Sequence, residues 1–203
     1  MTKHADGKSN ANSMKELFLQ TASSLFANKG YHATGISEIL KLSRAPKGSL
    51  YYYFPEGKEQ LAMEALQKTS DMICSEIQAT LTQYDDPITA FQMHLRFIAH
   101  KIENDMFRPG VSISLMALET FADNERLRQS CKEIFDRIQK MHRDKLISCG
   151  CAAKTADFIA MTVSVMTEGA ITLSLTRKDT APLHALADNL PQLFEVYFKK
   201  RNS

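Results

Sequence analysis

The chain has 203 residues, 44% of them hydrophobic, with 25 Lys/Arg against 23 Asp/Glu. These values exclude a disordered, fibrous or small disulfide-stapled protein and leave room for one compact core, or for a small domain joined to a larger one. A formal charge of +2 is too small to make the whole surface a polyanion trap, so any electrostatic footprint must be local. Residues 1–60 carry eight Lys/Arg against five Asp/Glu, and the remainder 17 against 18.

The opening residues, MTKHADGKSNANS, are polar and lack the apolar stretch of a secretory signal. No later run reads as the ~18 to 20 apolar residues of a membrane span. The expectation is a cytoplasmic protein with no membrane partner. In that setting Cys74, Cys131, Cys149 and Cys151 read as free thiols. Neither they nor the six histidines have a zinc spacing, so no metal or other cofactor is expected.

Gly and Pro leave long segments between them, and those segments repeat their apolar residues at the helical period, which predicts an all-α protein of about nine helices. The first is placed at 13–29: Ser13 and Glu16 form an S-x-x-E capping box, Met14, Phe18, Ala22 and Phe26 form a stripe, and Gly30 stops it. A second starts after Thr34 and presents Ile36, Ile39 and Leu40 before Ser43-Arg44-Ala45-Pro46. A third, very short, runs from Lys47 to Phe54. Helix 4 extends from about 58 to 83, and helix 5 from Pro87 to about Asp105. Helix 6 is placed at 112–121, helix 7 at 124–148, helix 8 at 153–177, and helix 9 from Pro182, with a kink or break at Pro191. The implied organisation is a tail over 1–12, a three-helix headpiece over 13–57 and a larger helical domain over 58–203.

On the third helix Leu50 and Phe54, four apart, share an apolar face. The opposite face carries Lys47, Gly48, Tyr51 and Tyr52. A cation, a residue that permits close backbone approach, hydroxyls and aromatic edges are the chemistry that reads double-stranded DNA. Residues 34–61, TGISEILKLSRAPKGSLYYYFPEGKEQL, resemble the headpiece of the TetR family of bacterial repressors. The match rests on Thr34, Ile39, Lys47, Gly48, Ser49, Leu50, Tyr51, Phe54, Lys58, Glu59 and Leu61. The resemblance implies a helix-turn-helix with its recognition helix in the major groove, and places Thr34, Ser37, Lys47, Ser49, Tyr51, Tyr52, Tyr53 and Lys58 near bases or backbone. Leu40 and Ser43 stand where the family has small alanines, Arg44 where it has the turn glycine, and Pro-Glu-Gly-Lys is one residue longer. The Ala-Pro-Lys-Gly-Ser-Leu-Tyr and Gly-Lys-Glu-Gln-Leu runs are similar to the LmrA/YxaF-like branch.

A single small headpiece meets one half-site, so a homodimer on a palindromic operator is expected. Helix 8 is apolar nearly all round, more than one core face requires, and contains Gly169. Glu168-Gly169-Ala170 resembles the family's interface helix, and with Leu173 forms the candidate interface. Phe91, Leu95, Phe107, Met116, Phe158 and Met161 supply aromatic and thioether groups for an adaptable apolar pocket, with Glu119 able to orient a small-molecule effector. A filled core is the competing reading for each of them. Two rival functions remain. Cys149-x-Cys151 could gate a redox-responsive regulator, with only Lys145 and Lys154 nearby to lower a thiol pKa. A helical enzyme or carrier with a vestigial headpiece is the other, although the chain has no nucleophile elbow, P-loop, dinucleotide fingerprint or zincin helix, so no catalytic residue is expected.

Overall fold

In the computed structural model, which describes residues 5–106 and 110–199, the described chain forms nine helices and no strand. They are α1 (Ala5–Lys29), α2 (Ile36–Ser43), α3 (Lys47–Tyr53), α4 (Lys58–Gln83), α5 (Pro87–Glu103), α6 (Ile113–Thr120), α7 (Glu125–Ser148), α8 (Ala153–Arg177) and α9 (Ala181–Lys199). Local chemistry sets most boundaries. Asp86 caps α5, its carboxylate accepting from Thr89 N–H at 2.6 Å with Pro87 in the first turn. Ser112 caps α6 in the same way through Leu115 N–H.

Two boundaries depart from the sequence reading. The helix expected to open at Ser13 begins at Ala5, so residues 5–12 are helical and Ser13 lies inside it. Glu16 accepts from Gln20 and pairs with Lys68 on α4 instead of closing a capping box. At the other end, α9 runs as one helix through Pro191. Proline has no N–H to offer the carbonyl four residues earlier. That carbonyl, on Ala187, accepts from Gln92 Nε2 of α5 at 2.7 Å. A side chain from a neighbouring helix thus fills the gap in the ladder, and no break is needed.

The chain packs as two compact units. The first contains the described residues up to Asp71 together with 110–134, that is α1 to α3, the first half of α4, α6 and the start of α7. Its core includes Phe18, Phe26, Ile39, Leu50, Phe54, Leu61, Met116 and Leu127. Phe18 meets Phe54 edge-on at 6.3 Å, fixing α3 against α1. The second contains 72–106 and 135–199, with a core of residues such as Leu81, Phe91, Leu95, Ile159, Leu190 and Phe194. Each such side chain contributes ~1.5–3 kcal/mol on burial. Neither unit ends at residue 57: the functional division drawn from sequence and the packing division differ.

Candidate DNA-reading face and its supports

The turn between α2 and α3 is built by Arg44, which takes the left-handed conformation at φ 52°, ψ 34° and closes α2. Pro46 then holds φ −65° ahead of the first residue of α3. Leu50 and Phe54 are fully buried beneath the short helix. Its other side is presented to solvent: Lys47 and Gly48 are exposed, Tyr51 and Tyr52 are 41% and 77% exposed, and Ser37 on α2 is exposed as well. Ser49 and Tyr53 are only half-buried positions at its edge. The Tyr53 ring lies tilted against Phe18 at 6.4 Å and edge-on to Tyr52 at 4.9 Å.

Two residues expected to face DNA are placed differently. Thr34 is buried, and its hydroxyl donates to the Gly30 carbonyl at 2.7 Å, so it shapes the loop before α2 and presents nothing outward. Lys58 opens α4 half-buried. Its ammonium donates to the Tyr31 carbonyl at 3.1 Å and lies 4.1 Å from the centre of the Tyr31 ring. Burial pushes its pKa down, opposed by the nearby Glu119 carboxylate. One of its three N–H groups is thereby engaged inside the protein, which leaves two for a phosphate.

The loop that Lys58 holds is also gripped from α6. Gly30 adopts φ +82°, and a Cβ there would overlap the Glu119 carboxylate. With no Cβ in the way, Glu119 accepts a hydrogen bond from Tyr31 N–H. His32 Nε2 meets the Glu119 carbonyl at 2.9 Å and lies 3.5 Å from Asp123. Tyr31 is buried, and burial raises its hydroxyl pKa. Glu59 binds Asn124 Nδ2 at 2.8 Å and Arg126 at 2.6 Å. Glu119 is therefore not a pocket carboxylate waiting for a ligand. It lies 88 residues from its partner, and nothing local in the sequence signals the pairing.

Residues 18–65 match the model of bacterial regulatory proteins of the tetR family, and residues 87–189 match that of the LmrA/YxaF-like transcriptional regulator C-terminal domain. The chain is 40% identical to the HTH-type transcriptional regulator YxaF of Bacillus subtilis over 88% of its length and 94% of that protein's. The chain belongs to the TetR family of transcriptional regulators, in its LmrA/YxaF-like branch. It is 36% identical to B. subtilis LmrA over 89% of this chain and 96% of that one. A TetR regulator from Chloroflexus aurantiacus shares the fold at a TM-score of 0.77 and 23% identity, covering 92% of this chain and 96% of its own. The family is one of DNA-binding regulators and not of enzymes.

Within this TetR-family chain the other expected site residues belong to both units. Phe91 and Leu95 are buried in the core of the second unit. Met116 is buried and Glu119 half-buried in the first. Phe158 and Met161 point outward from α8, each 51% exposed. Phe107 lies outside the described residues. Of the expected interface, Gly169 and Leu173 are exposed and Glu168 half-buried, whereas Ala170 is buried in the protomer's own core. By length and composition alone α8 is long and apolar enough to cross a membrane. One side of it (Ile159, Ala160, Val163) packs into the core, and the other leaves Phe158, Met161, Val165 and Leu173 exposed.

Sequence reasoning missed two histidines beside Phe91. His94 and His142 are buried, and burial pushes their pKa values down to about 4 and about 3. The Phe91 ring meets His142 edge-on at 5.2 Å. Ser164 gives its proton to the Ala160 carbonyl, so His142 Nδ1, 3.3 Å from that hydroxyl, is the donor between them. His94 Nδ1 has no hydrogen-bond partner among the described residues. Cys149 and Cys151 are free thiols, both half-buried. Cys149 donates its thiol proton to the Asp85 carbonyl at 3.2 Å, and Lys145 gives its ammonium to the Tyr84 carbonyl. Cys131 is buried with its thiol pushed up to about 11. No group of His, Cys, Asp and Glu among the described residues could hold a metal ion.

Proposed function

We propose that the protein is a cytoplasmic homodimeric repressor that binds a palindromic operator and is released by a small, mainly apolar or aromatic ligand. The observation that carries the reading is the α3 face, where Lys47, Gly48, Tyr51 and Tyr52 are exposed together above the buried Leu50 and Phe54. Lys47 and Tyr52 read bases; Ser37, Ser49, Tyr51, Tyr53 and Lys58 set register on the backbone. Residues 13–57 serve DNA with Lys58 at their boundary, and the remainder of 58–203 serves ligand and partner.

The exposed face of α8 around Phe158, Met161, Val165, Gly169 and Leu173 supports dimerisation, because a second copy would cover it. Ligand response acts by population: a ligand favouring protomers whose headpieces no longer match the half-site spacing lowers operator affinity. The bonds from α6 to the Tyr31 loop give a displacement of that helix a direct route to the headpiece. In vitro selection of bound duplexes from random DNA tests the reading. It should return an inverted repeat with half-sites a helical turn or a multiple apart. Recovery of no preferred sequence, or of an unrepeated one, would contradict it.

A further inference from the structure

Arg44 stands where a turn glycine would be free of strain, and its conformation requires an explanation. At φ 52° it is one of three non-glycine residues with positive φ among the described residues, a region where the side chain crowds the following carbonyl. Its own N–H and that of Ala45 return to the Lys41 and Leu40 carbonyls, so the backbone needs the left-handed turn and gains nothing from a guanidinium. The side chain does not stabilise the turn either. It is exposed and makes no hydrogen bond or ion pair among the described residues. By contrast Arg96, Arg126, Arg128 and Arg143 each hold a carboxylate.

The charges around Arg44 are one-sided. Lys41 and Lys47, three residues to either side, are exposed and likewise unpaired among the described residues. No carboxylate occurs between Glu38 and Glu56, and those two are taken by Lys29 and Arg126. Three unneutralised cations therefore flank the entry to the helix whose opposite end exposes Tyr51 and Tyr52. We infer that Arg44 is a DNA-phosphate contact: its guanidinium clamps the backbone beside the groove entered by α3, and the strained turn is retained for that contact. This rests on the DNA-reading role of α3, and adds an anchor at a position where the resembling pattern has only glycine. A guanidinium suits the task because its planar fork matches two phosphate oxygens.

The test pairs two measurements that a merely structural or idle residue would not move in opposite directions. Arg44→Gly relieves the backbone and should raise Tm by about 2–4 °C. The same variant should bind random-sequence duplex DNA more weakly, with a log–log salt slope shallower by about one per protomer. Arg44→Asn, which also tolerates the left-handed region, should reproduce the loss of slope, while Arg44→Lys keeps most of it. If Arg44→Gly and Arg44→Asn bind with the wild-type slope, the phosphate contact is refuted although the DNA-reading role stands. If the wild type shows no salt-dependent binding to duplex, that role itself fails and the inference with it.

Discussion

At position 30 a side chain is excluded twice over, by a φ of +82° and by the Glu119 carboxylate, which occupies the space a Cβ would need. Gly30→Ala should therefore destabilise the protein by about 1–3 kcal/mol. It should also weaken operator binding, because the displaced carboxylate releases Tyr31 N–H. Chemical denaturation checks the first part; an unchanged midpoint would show that Glu119 swings aside without cost. Single residues are also where the sequence was hardest to read. Thr34 belongs to the matched pattern, yet its hydroxyl serves the Gly30 carbonyl, so its place in the pattern reflects a turn. That Lys47, Gly48 and Tyr52 face solvent was legible because Leu50 and Phe54 fix which side of a short helix is inside. Glu119 had no such internal reference.

Among the helices, α9 offers the sharpest test of long-range compensation. Ala187 is fully buried, so Gln92→Leu should strand the carbonyl freed by Pro191 and cost about 1–3 kcal/mol. In a Pro191→Ala background the restored backbone N–H can close the ladder itself, and Gln92→Leu should then cost little. A double-mutant cycle by urea denaturation measures the coupling, and additive effects would mean that Gln92 does not serve that carbonyl. A proline in sequence predicts the lost bond but cannot reveal a donor 95 residues away. Elsewhere the helices were legible from period and punctuation: α8 runs from Ala153 to Arg177, as read. Its orientation was not, because a helix apolar on all sides gives no phase, so Phe158 and Met161 were assigned inward and Ala170 outward. The start of α1 was missed since residues 5–12 lack an apolar stripe.

For the whole molecule, the buried histidines contribute a response to mild acid. His94 and His142 titrate at about 4 and about 3 when folded, against 6.5 when free. The unfolded chain then binds more protons below pH 6.5, so stability is full above that value and falls as pH drops toward 4. The slope approaches about 1.4 kcal/mol per pH unit for each histidine. His94→Leu combined with His142→Phe should flatten it over that window; an unaltered profile of denaturation midpoints against pH would contradict burial as its cause. Assembly can be separated from folding at Gly169, where an added Cβ meets nothing within 4 Å among the described residues. Gly169→Glu should leave protomer helicity intact and shift sedimentation toward monomer. A variant that stays dimeric at the wild-type concentration dependence would move the interface away from this part of α8.

The claim on which the account depends is that the exposed side of α3 reads sequence. The decisive measurement is a titration of wild type, Lys47→Ala and Tyr52→Ala against a selected operator duplex and its single-substituted variants at several salt concentrations. The account predicts that at least one of the two substitutions erases a preference of about 1–3 kcal/mol at a symmetric pair of operator positions, while other positions keep theirs. Discrimination that survives unchanged in both variants, with only a uniform loss of affinity, would contradict it.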